Sequence, residues 1–310
     1  MKALIAWLRI TRPPIVLISC FGAIVGGLNT SVYLNQGRID LSFFQIVISL
    51  IASAFLAAGL MIHNDVTDLK SDRTNRPNKP IPSGIINEKA AYIVGLGMMI
   101  LSIILTLFIN IYQTGLLNWN CSIFTLVIVL FGLYYNHYGK YHGIIGNLTV
   151  ALGVGSIPYW GTIAFYPNYL LIMAPFSFAL FIQEVGREIM VNAGDITGDI
   201  NAGFKTLPIK IGRKQSMYIA LIFYILFIPL FPLPAIDYLN LGVPKIFGSL
   251  YLLGGSLLSF TLILTWILTY KVVIKNDEKE IWHAFELYER TGTRLMIIIF
   301  QIFLFIEIFY

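Results

Sequence analysis

Asn64 to Gly84 reads NDVTDLKSDRTNRPNKPIPSG, a polar tract set between two long apolar runs. Its aspartates, Asp65, Asp68 and Asp72, recur at spacings of three and four. A helix continuing through them carries Asn64 and all three carboxylates on one face, within about 100° of arc. A second tract, Gly186 to Leu207 (GREIMVNAGDITGDINAGFKTL), repeats the spacing: Asn192, Asp195 and Asp199 stand 127 residues after Asp65, Asp68 and Asp72. With Glu188 they fall within about 60° on a helix. The chain therefore offers one acidic ladder twice, and two pseudo-repeated halves of a single domain spanning 1–310 are expected.

The composition around these tracts excludes a soluble fold. Hydrophobic residues make up 57% of the 310 residues and charged residues only 12%, and the mean hydropathy is +0.77; a globular surface does not tolerate this balance. An all-α polytopic membrane protein is expected, with about nine transmembrane helices around a central cavity under a polar cap. At roughly 20 apolar residues per span, the helices fall near 14–34, 42–63, 89–110, 117–136, 143–165, 168–187, 215–236, 245–270 and 293–310. The net charge of +5 comes from basic residues scattered among apolar segments, which is the pattern of a membrane surface rather than of nucleic-acid binding. Cys20 and Cys121 both lie inside apolar runs and far apart, so neither a disulfide framework nor a CxxC metal site is indicated. The first apolar run is long enough to remain as a span instead of a cleaved signal.

The charges also set an orientation. On this nine-span threading, nineteen of the 21 Lys and Arg fall on the N-terminal side of the membrane, all but Arg38 and Lys245. That asymmetry places the N-terminus and both acidic tracts in the cytoplasm, in a multi-pass protein of the cell membrane. Gly26, Gly27, Gly153, Gly155, Gly254 and Gly255 are expected to allow close helix packing rather than to bind phosphate, since none follows a strand. Lys275 to Glu289, with Ile281, Trp282, Phe285 and Leu287 among its charges, reads either as a short interfacial helix or as a solvated loop.

Stacked carboxylates repel unless cations lie between them. Hard oxygen ligands at this spacing suit Mg²⁺, which takes a few carboxylates, waters and substrate phosphates. The metal candidates are Asp65, Asp68, Asp72, Asn192, Asp195 and Asp199. Interleaved cations provide a diphosphate-binding complement, Arg as a bidentate fork and Lys as a point charge. They are Lys70, Arg73, Arg76, Lys79, Arg187, Lys205, Lys210 and Arg213, with Arg73, Arg76 and Lys205 favoured for adjoining the ladders. Pro77, Pro80 and Pro82 cannot continue a helix and are expected to fold the first tract back over the cavity mouth as a lid. Tyr134, Tyr135, Tyr138, Tyr159 and Trp160 are candidates for the cavity wall or acceptor mouth, although an interfacial belt or ordinary packing explains any one of them better than a catalytic role does. His137 and His142 flank the same loop, where a solvated histidine is the plain reading.

With these residues in hand, the chain resembles the UbiA superfamily of intramembrane prenyltransferases. Asn64–Gly84 and DITGDINAGFKTLP (Asp195–Pro208) resemble its two aspartate-rich motifs, and the nine-span pattern and motif spacing extend the likeness over essentially the whole sequence. NRPNKPIPSG, GREI and GNLTVA (Gly146–Ala151) are most similar to the archaeal branch that transfers a geranylgeranyl group to a glycerophosphate ether lipid. The resemblance implies that Asp65, Asp68, Asp72, Asp195 and Asp199 bind the diphosphate of an isoprenoid donor through Mg²⁺, assisted by Asn64. It also implies membrane lipid surroundings and no nucleic-acid partner. The chain departs from the family pattern at Val191-Asn192, where Lys-Asp is usual, at Gly194, where an acidic residue is frequent, and at Ile15, where an Asn two positions after Arg-Pro is expected. An aromatic acceptor is the alternative reading, with a non-catalytic paralogue or a transporter behind it.

Overall fold

The computed structural model describes residues 2–235, 247–275 and 278–309. Lys245, one of the two cations expected on the far side, lies outside the described residues. Among the described residues the fold is helical without strands. The elements are α1 Lys2–Ile10, α2 Pro13–Leu34, α3 Phe43–Thr67, α4 Leu69–Asn75, α5 Glu88–Leu107, α6 Ile111–Thr114, α7 Trp119–His137, α8 Ile144–Gly155, α9 Ile157–Phe165 and α10 Ala174–Ala202. They are followed by α11 Leu207–Ile211, α12 Arg213–Leu230, α13 Ser249–Lys275, α14 Glu278–Ala284 and, after a π-helical segment Phe285–Thr293, α15 Arg294–Glu307.

Among the described residues seven tracts are long and apolar enough to cross a membrane: α2, α3, α5, α7, α8 with α9, α12 and α13. The tracts expected as the sixth and ninth spans, 168–187 and 293–310, fall largely in α10, whose later half carries Glu188, Asp195 and Asp199, and in α15, which is 14 residues long. α2 packs on α3 and α9, α3 on α5 and α7, α7 on α8, α8 on α10, α10 on α12, α12 on α13, and α13 on α15. α15 returns to α2 and closes the ring.

Local chemistry sets the helix ends. Pro13 opens α2, where its missing N–H is no loss. Ser42 and Gln45 form a reciprocal capping box at the start of α3, and Asn87 caps α5 through its side chain. Gly203, with φ 80°, ends α10 in the left-handed conformation that glycine adopts without steric cost. Where α2 crosses α9, a Cβ on Gly161 would run into the carbonyl of Ala23, and one on Gly26 into that of Pro158. The absent side chains let the two backbones touch, and Thr30 and Thr162 share a hydrogen bond of 3.0 Å across the same crossing. Gly254 brings α13 against Phe300 of α15 in the same way. Gly153 has open space where its Cβ would be and faces the central cavity, so it is not a packing glycine.

Of the tract read from sequence as a short interfacial helix or a solvated loop, residues 278–289 are helical and not a loop. Ile281 and Phe285, four apart, are both 1% exposed and anchor the run inward. The helix then continues through the π turn into α15, with Glu286, Arg290 and Thr291 facing the cavity.

Candidate active site

The ring encloses a cavity of about 510 Å³, a size typical of small-ligand sites. Its deep walls are apolar, from Ile15, Ile18, Leu56, Val150, Leu180, Phe176, Leu258 and Phe300 among others. Asn64, Asp68, Asp72, Asn192, Asp195 and Asp199 gather at one end.

The first acidic tract is nearly one helix. Asp68 keeps a right-handed helical conformation between α3 and α4, its N–H bonded to Asn64 O at 2.8 Å and its own carbonyl accepting from Asp72 N at 2.8 Å. The second tract lies wholly within α10. Both ladders are therefore helical, as their spacing requires. They also touch: Ser71 Oγ donates to Asp199 Oδ1 at 3.2 Å, Asn75 Nδ2 donates to Asp195 O at 3.2 Å, and Arg76 Nη2 donates to Asp195 Oδ1 at 2.8 Å. Gly198 permits this approach, since a Cβ there would collide with the Asn75 carboxamide.

Each carboxylate meets a donor of the protein's own. Asp65 is buried between Arg12 and Lys79, the latter at 3.0 Å. Lys79 also reaches Asp72 Oδ2 at 2.7 Å, and Arg76 Nη1 lies 3.5 Å from Asp72 Oδ1. Asp68 pairs with Lys140 and accepts from Asn64 Nδ2 at 2.6 Å. Asp195 holds Arg290 as well as Arg76, and Arg76 continues to Glu286 Oε1 at 3.0 Å. Arg12 takes a left-handed backbone, φ 51°, which is uncommon for a residue with a side chain and is held here by its ion pair.

Burial opposes ionisation at the mouth. Asp199, beyond the apolar half of α10, is pushed up to about 8 by burial, with the Asp195 and Asp68 carboxylates adding to the shift. Asp195 is raised to about 6, again by burial, against the pull of Arg76. Asp72 is raised by burial while Lys79 draws it back. An additional cation would relieve all three.

Of the cations expected from sequence, Arg76, Lys79 and Arg187 line the cavity, and so does Tyr135, with the Lys140 ammonium 5.4 Å above its ring. Lys70, Arg73 and Lys205 are exposed and stand outside it, as do Lys210 and Arg213; Arg213 pairs instead with Glu278 at 2.8 Å. On a helical ladder the intervening positions point away from the acidic face, so sequence proximity to an aspartate does not bring a side chain to it. Arg12, Lys140, Arg290 and Arg294 reach the cavity from other elements. The Arg12-Pro13 junction was the one available signal for any of them. Trp160 lines the wall and donates from Nε1 to Thr125 Oγ1 at 2.8 Å. Tyr134 and Tyr138 are exposed, Tyr159 is half-buried outside the cavity, and His137 and His142 are exposed. The prolines of the first tract turn the chain so that Lys79 reaches back to Asp65 and Asp72.

Residues 17–293 match the UbiA prenyltransferase family. The chain belongs to that family. It is a prenyltransferase. The digeranylgeranylglyceryl phosphate synthase of Methanococcus aeolicus is 35% identical over 298 residues, covering 96% of each chain. That of Sulfurisphaera tokodaii is 29% identical over 232 residues, covering 74% of this chain and 77% of its own. Among solved structures, one concerning digeranylgeranylglyceryl phosphate synthase in membranes superposes with a TM-score of 0.66 at 26% identity, covering 99% of both chains. A UbiA homologue from Archaeoglobus fulgidus bound to GPP and Mg²⁺ superposes with a TM-score of 0.64 at 16% identity, over 98% of this chain and all of that one; at that identity the likeness is one of fold.

Two departures from the UbiA pattern have a visible setting. A Cβ on Gly194 would lie 2.8 Å from Phe285 Cβ, so the π segment occupies the space that a side chain at this position would need. Val191 and Asn192 both line the cavity, and Asn192 offers a neutral carbonyl oxygen at the first rung of the second ladder. Among the described residues no three His, Cys, Asp or Glu side chains form a ready-made metal cage. The residues nevertheless fit Mg²⁺. Mg²⁺ takes one or two carboxylates together with water and substrate phosphate, and several carboxylates face one cavity here, with burial resisting their charge.

Proposed function

We propose that the protein transfers a geranylgeranyl group from geranylgeranyl diphosphate to geranylgeranylglyceryl phosphate in ether-lipid synthesis, in a Mg²⁺-dependent reaction at the cytoplasmic face of the cell membrane. The observation that carries this reading is the convergence of both acidic ladders, with the cations that hold them, at the polar end of one apolar cavity. The named relatives supply the acceptor class.

Asp65, Asp68, Asp72, Asp195 and Asp199, with Asn192, are the residues that would hold the metal. When bound, Mg²⁺ supplies charge neutralisation to the departing diphosphate. Arg76, Lys79 and Lys140 are placed to exchange their carboxylate partners for phosphate oxygens. The C1–O bond of the donor breaks and its electron pair leaves with the diphosphate. The acceptor hydroxyl oxygen bonds to C1, and its proton passes to the departing diphosphate or to solvent. The apolar depth of the cavity keeps water from the allylic cation and houses the isoprenoid chain. The two ladders, 127 residues apart, make the site a product of two repeated halves.

The test is Asp68→Ala and Asp195→Ala in purified protein with Mg²⁺ and geranylgeranyl diphosphate, products being identified by mass spectrometry against glycerophosphate and aromatic acceptors. Transfer should fall by about 100-fold or more in both variants. Near wild-type rates in both would sink the metal assignment, and prenylation of the aromatic acceptors alone would replace the glycerophosphate reading.

A further inference from the structure

One cation of the cavity has no ion pair. Among the described residues, every other Lys or Arg that lines the cavity is held by a carboxylate, whereas Arg294 forms no ion pair, Glu286 and Glu184 acting on it only from beyond contact. Arg294 follows Arg290 by four residues, about one turn across the end of the π segment, and both line the cavity. Arg290 grips Asp195, so Arg294 lies one turn beyond the acidic mouth, in the direction of Ile297 and Phe300.

A second group points to the same need. Gln183, on α10, is 2% exposed and lines the cavity, yet its Nε2 has no hydrogen-bond partner. It sits one turn from Arg187, on the same face of α10. Arg290 adds a third unmet donor, since its Nε is buried without an acceptor. Unpaired donors in an apolar, membrane-embedded cavity are costly, and the cost is offset when a ligand supplies the acceptors. Carboxylates are not short at the mouth. Deeper in, the carboxylates of the wall, Glu184 and Glu188, are taken up by Arg187, and the remaining donors are left without acceptors.

We infer that Arg294, with Gln183 and the Nε of Arg290, binds the phosphate monoester of the prenyl acceptor. The inference rests on the glycerophosphate reading above and deepens it by assigning the acceptor's anionic group to a site separate from the donor's diphosphate. One helical turn between Arg290 and Arg294 matches the few ångströms between a glycerol hydroxyl and a phosphate on the neighbouring carbon. The hydroxyl then faces the donor's C1 at the acidic mouth while the phosphate is held on the α10–α15 wall. A guanidinium recognises such an oxyanion through paired donors, which a neutral or flat apolar acceptor cannot use.

The experiment compares geranylgeranylglyceryl phosphate with its dephosphorylated alcohol as acceptors, in wild type, Arg294→Gln, Arg294→Lys and Gln183→Leu. Wild type should favour the phosphate. Arg294→Gln should lower kcat/KM for the phosphate by about 10- to 100-fold, the loss of a charge-assisted contact. The phosphate-to-alcohol ratio should shrink with it, while KM for geranylgeranyl diphosphate moves by less than about threefold. Arg294→Lys should recover part of the loss, and Gln183→Leu should shift the ratio in the same direction by less. A phosphate-to-alcohol ratio unchanged in Arg294→Gln overturns the inference, as does a loss equal for both acceptors or one appearing in the donor KM. Should Arg294→Gln not fold, the ratio in Gln183→Leu decides. Wild type acting on neither acceptor is a different result: it removes the glycerophosphate reaction itself, and this site with it.

Discussion

Arg76 joins the two acidic tracts, and its removal should act in opposite directions on the two components of the donor complex. Its Nη2 lies 2.8 Å from Asp195 Oδ1 and 3.0 Å from Glu286 Oε1, and its Nη1 lies 3.5 Å from Asp72 Oδ1. Burial and these three carboxylates act on it together, and the carboxylates prevail, holding its proton more tightly than in water. In the metal-free protein Arg76 occupies oxygens that a metal would use. Mg²⁺ arriving alone must displace it, at the cost of one charge-assisted contact, about 1.5–3 kcal/mol. The side chain is 22% exposed, so the lower half of that range applies. Arg76→Ala should therefore bind Mg²⁺ alone about tenfold more tightly than wild type. With diphosphate present the sign reverses, because Arg76 then has phosphate oxygens to hold; KM for geranylgeranyl diphosphate at saturating Mg²⁺ should rise by about the same factor. Isothermal titration with Mg²⁺, without and then with the diphosphate, measures both. The metal-free variant should also unfold at a lower temperature, with Mg²⁺ restoring more of the loss than it adds to wild type. Unchanged or weaker binding of Mg²⁺ alone by Arg76→Ala would refute the idea that the protein's own cations stand in for the metal.

Two further outcomes test the arrangement around the site. Gly194→Asp restores the family's more frequent acidic residue but places a Cβ 2.8 Å from Phe285 Cβ and 2.9 Å from its Cγ. Overpacking of this kind should destabilise the protein by about 1–3 kcal/mol; thermal unfolding in detergent measures it, and a gain in both stability and turnover would show that Phe285 does not set the choice of glycine. Lys70→Ala, Arg73→Ala and Lys205→Ala combined should leave kcat/KM within about threefold of wild type, as for exposed side chains away from buried partners. A loss comparable to that of Arg76→Ala would mean that these residues fold over the donor during turnover.

The acidic ladders were legible because helical periodicity is local: spacings of three and four put Asp65, Asp68 and Asp72 on one face wherever the helix happens to lie. The repeat 127 residues later converted a local pattern into an expected meeting of two helices, and Ser71 bonded to Asp199 is that meeting. The cations obey no such rule. Lys140, Arg290 and Arg294 come from segments far from the first ladder in sequence, and the packing of the π segment on α10 and of α15 on α2 brings the last two to the cavity. Their neighbours Lys70, Arg73 and Lys205, beside the aspartates in sequence, lie outside the cavity. The loop alternative for 278–289 has the same origin. Its charges resembled a solvated loop because the partner that justifies drawing them inward, Arg76 for Glu286, belongs to the first acidic tract. A charged residue in a membrane protein is thus ambiguous until its partner is known, and Arg294 is informative because it forms no ion pair among the described residues. On the proposed function, the anionic group of the acceptor does for Arg294 what a protein carboxylate does for Arg290.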